Sequence, residues 1–314
     1  MGDHAVVYGK PCIVTAVDSR MIVTVKKIDE ESCILNAPDV ALVNYVKPMS
    51  QLGAGDIPKA AAFIEHSLSF FLKEHTFMGG VEIETHSEFP STFGFGSSSA
   101  SVVAVMYALC QLYDVPIDQH GLFDLCYKTV LAVQGVGSGF DVASAIWGGT
   151  IYFVGGGSTI EPLDLGIFPL VVGYSGVKAD TATMINDVAK KYTDNTQKME
   201  RIFDAIASLV DDAKEKFPEG DWQRIGTLMN FNQEYLRDIG VSTEKLESLI
   251  QAAKSAGSWG AKLSGAGGGD CMIAICSPDA YESVSAAITQ SGGSVIETTC
   301  GAQGVRIETQ GALS

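Results

Sequence analysis

The chain has 314 residues, of which 46% are hydrophobic and 18% charged, and its formal net charge is -16 at pH 7. That length suits one large or two joined α/β domains, and the composition belongs to a well-buried globular protein rather than a disordered one. The negative charge excludes nonspecific binding to nucleic acid or anionic membranes, while an anion can still be held in a local pocket by backbone donors, a few cations or Mg2+.

In chain order, Val6, Val7, Ile13, Val14, Ile22, Val23 and Val25 predict strands punctuated by Gly9-Lys10-Pro11. Residues 36–58 are rich in proline and glycine and read as loop, followed by a helix over 58–74. The alternation Val81-Glu82-Ile83-Glu84-Thr85-His86 predicts a strand. It feeds the loop Pro90-Ser-Thr-Phe-Gly-Phe-Gly-Ser-Ser-Ser-Ala100, and a helix is expected over 100–113, then another over 119–133. A glycine-rich stretch over 134–149 precedes a strand at 150–154, and Gly155-Gly156-Gly157 marks a turn. The region 155–170 is the expected boundary between an N-terminal domain, 1–160, and a C-terminal domain, 161–314. Beyond it come a strand at 170–174 and helices over 181–189, 197–216, 221–237 and 243–256. A second glycine-rich loop, a strand at 272–276, a helix over 279–291 and a strand at 294–299 follow. Helices grouped apart from strand pairs predict an α+β fold.

Seven cysteines, at 12, 33, 110, 126, 271, 276 and 300, show neither C-x-x-C pairs nor zinc spacing. They read as reduced, buried thiols of a cytoplasmic protein. No stretch of about 18 apolar residues predicts a membrane span, and no export signal is expected at the N-terminus.

The loop before the expected 100–113 helix is built like an anion site. Gly94 and Gly96 permit tight turns and close backbone approach, and Ser97, Ser98 and Ser99 bring hydroxyls to a helix N-terminus. A lone glycine-serine loop reads as readily as a turn with an N-cap. The second loop, Lys262-Leu-Ser-Gly-Ala-Gly-Gly-Gly-Asp-Cys271, shifts the balance towards nucleotide chemistry. A third segment, Val133-Gln-Gly-Val-Gly-Ser-Gly-Phe-Asp141, carries an aspartate that reads either as an N-cap or as the group that orients or deprotonates a hydroxyl in phosphoryl transfer. There is no G-x-x-x-x-G-K-[ST], no H-R-D with D-F-G and no G-x-S-x-G, so P-loop, protein-kinase and α/β-hydrolase chemistry are set aside. His66, His75, His86 and His120 lie in ordinary helix or strand contexts.

These segments, together with Gly2-Asp-His-Ala-Val-Val-Tyr-Gly-Lys-Pro11, Ile225-Gly-Thr-Leu-Met-Asn-Phe-Asn-Gln233 and Ile239-Gly-Val-Ser242, resemble in order the GHMP small-molecule kinases. Within them the chain is similar to the archaeal mevalonate kinase branch, essentially end to end. The resemblance implies a two-domain α+β fold with ATP and mevalonate in a cleft between the domains. It implies Asp141 as the catalytic group acting on the C5 hydroxyl, and Asp3, His4 and Thr181 on the substrate side. Gly94, Gly96, Ser97, Ser98 and Ser99, with Gly265, Gly267 and Gly268, would hold ATP, and Ser98 would help hold Mg2+. The expected partners are a small-molecule acceptor and a second copy in a homodimer, with no nucleic acid and no membrane.

Three departures accompany the resemblance. The family's Ala-Pro-Gly-Lys strand is not present before Gly2, which reads as a truncated start, and Asp3 stands for the usual glutamate. Val130 occupies the position of the usual acidic Mg2+ ligand. Asp270 and the 133–144 stretch look more like phosphomevalonate kinases, which makes phosphomevalonate the alternative acceptor, with Lys178 as a cation to serve it. A catalytically impaired nucleotide-binding regulatory homologue is the alternative of another class.

Overall fold

A computed structural model of the chain describes residues 1–75 and 77–308. The first elements in order are β1 (Pro11–Thr15), β2 (Met21–Ile28), β3 (Ser32–Ala37), β4 (Leu42–Pro48), α1 (Ala62–Glu74) and β5 (Gly80–Ser87). There follow α2 (Ser97–Leu112), α3 (Gln119–Gln134), α4 (Phe140–Trp147), β6 (Thr150–Val154), β7 (Thr159–Leu163), β8 (Leu170–Tyr174) and α5 (Thr181–Lys191). The remainder comprises α6 (Thr196–Lys216), α7 (Trp222–Ile239), α8 (Glu244–Ser255), β9 (Gly260–Leu263), β10 (Cys271–Ile275), α9 (Tyr281–Gln290) and β11 (Ser294–Ile296). The α+β expectation holds. None of the described helices is long and apolar enough to cross a membrane.

The chain packs as two units interleaved along the sequence. One contains Met1–Asp18, Thr92–Gly94 and Gly149–Ala302; the other contains Ser19–Ser91, Phe95–Gly148 and the described residues from Gln303. The glycine-serine loop therefore divides between them, with Gly94 in the first and Gly96 in the second. Residue 160 lies inside the first unit, because β6 turns back at Gly155–Gly157 and pairs antiparallel with β7.

In the second unit the sheet runs β2-β5-β3-β4, antiparallel except for the β3–β5 pair. Helices α1, α2 and α3 pack on one another and α4 packs on α2 and α3. Phe71, Ile83, Met106, Leu109 and Phe123 are buried in this unit. The stretch 36–58 is not simply loop, since it contains β4. Tyr45 and Lys47 on β4 reach the buried Glu65 of α1: Tyr45 Oη donates to Glu65 Oε2 at 2.6 Å, and Lys47 forms an ion pair with Oε1. The Gly53 N–H donates to the same Oε1 at 2.9 Å. One buried carboxylate with a full set of donors thus orders a segment whose prolines and glycines read as irregular. The first helix consequently starts at Ala62 rather than at 58.

In the first unit, β1-β6-β7 and β11-β8-β10-β9 are both antiparallel sheets. Phe203, Ile206, Leu236, Leu249, Met272 and Ile288 belong to its main core. All four residues of β9 are buried although β9 ends its sheet. Helix α7 covers that edge with side-chain amides. Asn230 Oδ1 accepts the Ala261 N–H at 3.2 Å, its Nδ2 donates to the Trp259 carbonyl at 3.1 Å, and Gln233 Oε1 accepts the Leu263 N–H at 2.9 Å. Edge donors that would otherwise be buried without partners are satisfied in this way. Gly226 lets the helix come this close, because a Cβ there would stand 2.5 Å from the Trp259 carbonyl carbon.

Gly226→Ala tests this packing through its sign. Alanine ordinarily stabilises a helix interior over glycine by about 1 kcal/mol, whereas the clash with β9 should cost about 1–3 kcal/mol. Urea denaturation should show a net loss of stability; a gain would refute the close approach.

Candidate active site

In the second unit, α2 and α4 both begin after a glycine in the left-handed conformation, Gly96 with φ 72° and Gly139 with φ 89°. Neither N-cap supplies a side chain to the first-turn N–H groups. Those groups, at the positive end of each helix, favour an anion. Helix α2 starts at Ser97, three residues earlier than the sequence pattern predicted, so Ser97 and Ser98 lie in its first turn, half-buried.

Asp141 is the second residue of α4, and Gly139, not Asp141, is the N-cap. The capping alternative for Asp141 is therefore removed. Ser99 is buried and its Oγ donates to Asp141 Oδ2 at 2.9 Å, so this hydroxyl orients the carboxylate instead of facing outward. A Cβ on Gly96 would stand 3.2 Å from Asp141 Cβ, which brings the glycine-serine turn against the aspartate. Burial raises the Asp141 pKa above its ordinary value of 3.8, against the opposing hydrogen bond from Ser99. A carboxylate so placed is a competent proton acceptor near a site for negative charge. Val130 is buried on α3 and offers no ligand atom.

In the first unit, Lys262 is fully buried on β9 and its ammonium lies 2.6 Å from Asp3 Oδ2. It also donates to the Leu263 carbonyl. Asp3 Oδ1 accepts the Gly265 N–H at 2.8 Å. Burial alone would raise the Asp3 pKa, but Lys262, the terminal ammonium and the Gly265 N–H together lower it to about 2. His4 is buried, with φ 60°, and its Nε2–H donates to the Ala266 carbonyl at 2.7 Å. Burial lowers its pKa, which favours the neutral ring, and Nδ1 has no partner among the described residues.

The second glycine loop is thus held at one end by Asp3 and His4. At its other end Gly268 N–H donates to the Val241 carbonyl at 2.8 Å, and a Cβ on Gly267 would stand 2.3 Å from that oxygen. Around Gly265, by contrast, a Cβ would meet nothing within 4 Å. Asp270, with φ 54°, accepts the Ala179 N–H at 3.0 Å and lies 3.6 Å from the Lys178 ammonium. A Cβ on Gly94 would stand 2.6 Å from Asp270 Oδ2, so the first glycine of the glycine-serine loop packs on this carboxylate. Asp270 ties three segments of the unit together, and Lys178 is its ion-pair partner. Thr181 is exposed at the start of α5, after the N-cap Asp180.

The structure places Asp3 and His4 beside the 265–268 loop in one unit, and Gly96 and Ser99 beside Asp141 in the other. Sequence reasoning gave no role to Lys262, although a lysine inside the four-residue buried strand Gly-Ala-Lys-Leu is itself a signal of a paired internal cation. The role of Gln233 was legible only as a motif.

Residues 59–149 match the GHMP kinases N terminal domain and residues 213–296 match the GHMP kinases C terminal domain. The chain is 34% identical to mevalonate kinase of Pyrococcus abyssi, over 98% of this chain and 94% of that one. It belongs to the GHMP kinase family. Among solved GHMP kinases, L. major mevalonate kinase in complex with R-mevalonate superposes with a TM-score of 0.76 at 26% identity, covering 97% of this chain and 94% of that one. Streptococcus pneumoniae phosphomevalonate kinase superposes with a TM-score of 0.78 at 18% identity, over 95% of each chain, which is a likeness of fold.

The raised Asp141 pKa carries a stability consequence. Folding favours the protonated carboxyl, so its ionised form costs stability at neutral pH, and this cost disappears as pH falls below the ordinary aspartate value of 3.8. Asp141→Asn should therefore raise Tm at neutral pH, with the gain shrinking in acid. A loss of Tm at neutral pH would show that the ionised carboxylate stabilises the fold.

Proposed function

We infer that this GHMP kinase transfers the terminal phosphoryl group of ATP to the C5 hydroxyl of mevalonate. The single observation that carries the chemistry is Asp141: desolvated, oriented by Ser99 and set on the first turn of a helix beside the glycine-serine turn. The choice of mevalonate rests on full-length similarity to mevalonate kinases at 34% identity, against 18% to the phosphomevalonate kinase fold. The phosphomevalonate alternative is not favoured. Lys178, the cation that reading called for, is paired with Asp270.

In this reading Asp141 accepts the proton as the alcohol oxygen attacks phosphorus, and the bond to the leaving ADP oxygen breaks in line. The N–H groups of Ser97 and Ser98 at the α2 terminus, preorganised by Gly96, face the charge that develops on the transferring group. Gly265, Gly267 and Gly268 serve ATP through backbone N–H groups, while Asp3, His4 and Thr181 serve the acceptor. The hydroxyl oxygen of Ser98 is a hard donor that suits Mg2+, which keeps several waters and takes few protein ligands, so Ser98 with ATP oxygens and water would form its shell. When bound, Mg2+ supplies charge neutralisation at the phosphates. Buried thiols such as Cys110, Cys126 and Cys276 suit a reducing, cytoplasmic location.

ADP release measured by a coupled assay tests the assignment. Mevalonate should support turnover, and phosphomevalonate should not. Asp141→Asn should lower kcat by about 100-fold or more with ATP affinity nearly unchanged. Turnover of phosphomevalonate alone would overturn the acceptor, and a variant within a few-fold of wild type would overturn the role of Asp141.

A further inference from the structure

Gln233 is buried on α7, and its amide is used on both sides. Oε1 accepts the Leu263 N–H at 2.9 Å, at the point where β9 enters the second glycine loop. Nε2 donates to Ser242 Oγ at 2.9 Å and to Glu247 Oε1 at 2.8 Å. Only an amide provides an acceptor for a backbone N–H and two donors for a hydroxyl and a carboxylate from one planar group. Glu247 is itself fixed: Ser242 Oγ donates to its Oε1 at 2.5 Å, and Arg237 bonds its Oε2 at 2.6 Å.

The residue before Ser242 is Val241, whose carbonyl receives the Gly268 N–H and limits Gly267. The β9–β10 hairpin closes the base of the loop, where Ser264 N–H donates to the Cys271 carbonyl at 2.9 Å. Residues 265–268 are further held by Asp3 and His4 at Gly265 and Ala266 and by the Val241 carbonyl at Gly268. Gln233 joins the 241–242 segment to the strand that leads into the loop.

We propose that Gln233 is a positioning residue that sets the geometry of the 265–268 glycine loop by fixing both of its limbs, through Leu263 on one side and Val241-Ser242 on the other. The inference deepens the phosphotransfer reading and rests on it for its kinetic consequence: a loop that serves ATP loses preorganisation when the amide is removed. Neighbouring Asn230 provides the contrast. It also bonds β9, at Ala261 and Trp259, yet it has no bond to the 241–242 segment. Asn230 therefore supports the strand edge, whereas Gln233 supports the edge and the loop.

The test compares wild type, Gln233→Ala and Asn230→Ala by amide hydrogen exchange over 264–269, thermal unfolding, and steady-state kinetics with ATP. Both variants should lose thermal stability. Only Gln233→Ala should show faster exchange in the loop and a KM for ATP raised about tenfold or more, while Asn230→Ala stays within about twofold. Gln233→Glu keeps the acceptor for Leu263 and sets a second carboxylate against Glu247, so it should reproduce the loop defect if Gln233→Ala does not fold. Equal loop exchange in the Gln233 and Asn230 variants, or KM values that follow thermal stability alone, would overturn the proposal. Absence of phosphotransfer in wild type would defeat the functional reading separately, and loop exchange would still decide the role of Gln233.

Discussion

A lysine ammonium cut off from water is stable in a fold only beside an anion, and Lys262 places that demand on the first unit. Asp3 meets it at 2.6 Å, and the consequences spread outward from that pair. The turn carrying Asp3 and His4 must lie against β9, and the remaining oxygen of Asp3 takes the first N–H of the glycine loop. On its other edge β9 is held by amides of α7, since among the described residues no further strand covers it. Removal of either charge would leave its partner buried and unpaired, a larger loss than the absence of the pair as a whole.

The two units treat their principal aspartates in opposite ways. Asp3 is held ionised by a cation and a backbone donor. Asp141 receives one hydroxyl hydrogen bond, and its strongest influence is desolvation, which favours the proton. Carboxyl groups driven apart in pKa by their surroundings can divide structural and proton-transfer roles within one protein. Left-handed glycines stand at the N-caps of both α2 and α4 and supply no capping side chain; at α4 the Phe140 N–H donates to Ser138 Oγ at 3.5 Å, and the α2 terminus is the one that suits an external anion.

Long periodic elements were legible in the sequence. The strands at 150–154 and 170–174 coincide with β6 and β8, and α6 and α7 differ from the predicted spans by one or two residues. Val6 and Val7 read as strand but lie in a 3-10 turn over Ala5–Tyr8, and α2 begins three residues early. Two of the missed strands share a physical cause, the sheet edge. Both β4, ending at Pro48, and β7, containing Pro162, lie at sheet edges, where proline is tolerated and one side of the strand lacks a partner. Local composition reads such segments as loop, while long-range partners such as Glu65 determine that β4 is ordered. At the site, residue types and loop order were legible because glycine turns and helix starts are local features. The Lys262–Asp3 pair, 259 positions apart in numbering (262 − 3), depends on tertiary packing and left only the trace of a lysine in an apolar strand.

The electrostatic division between Asp3 and Asp141 is most directly tested by a pH titration of aspartate carboxyl carbons by NMR. The account predicts that Asp3 titrates at about 2 and that Asp141 titrates above the ordinary value of 3.8. Both groups titrating near that ordinary value, or Asp141 titrating below it, would contradict the account.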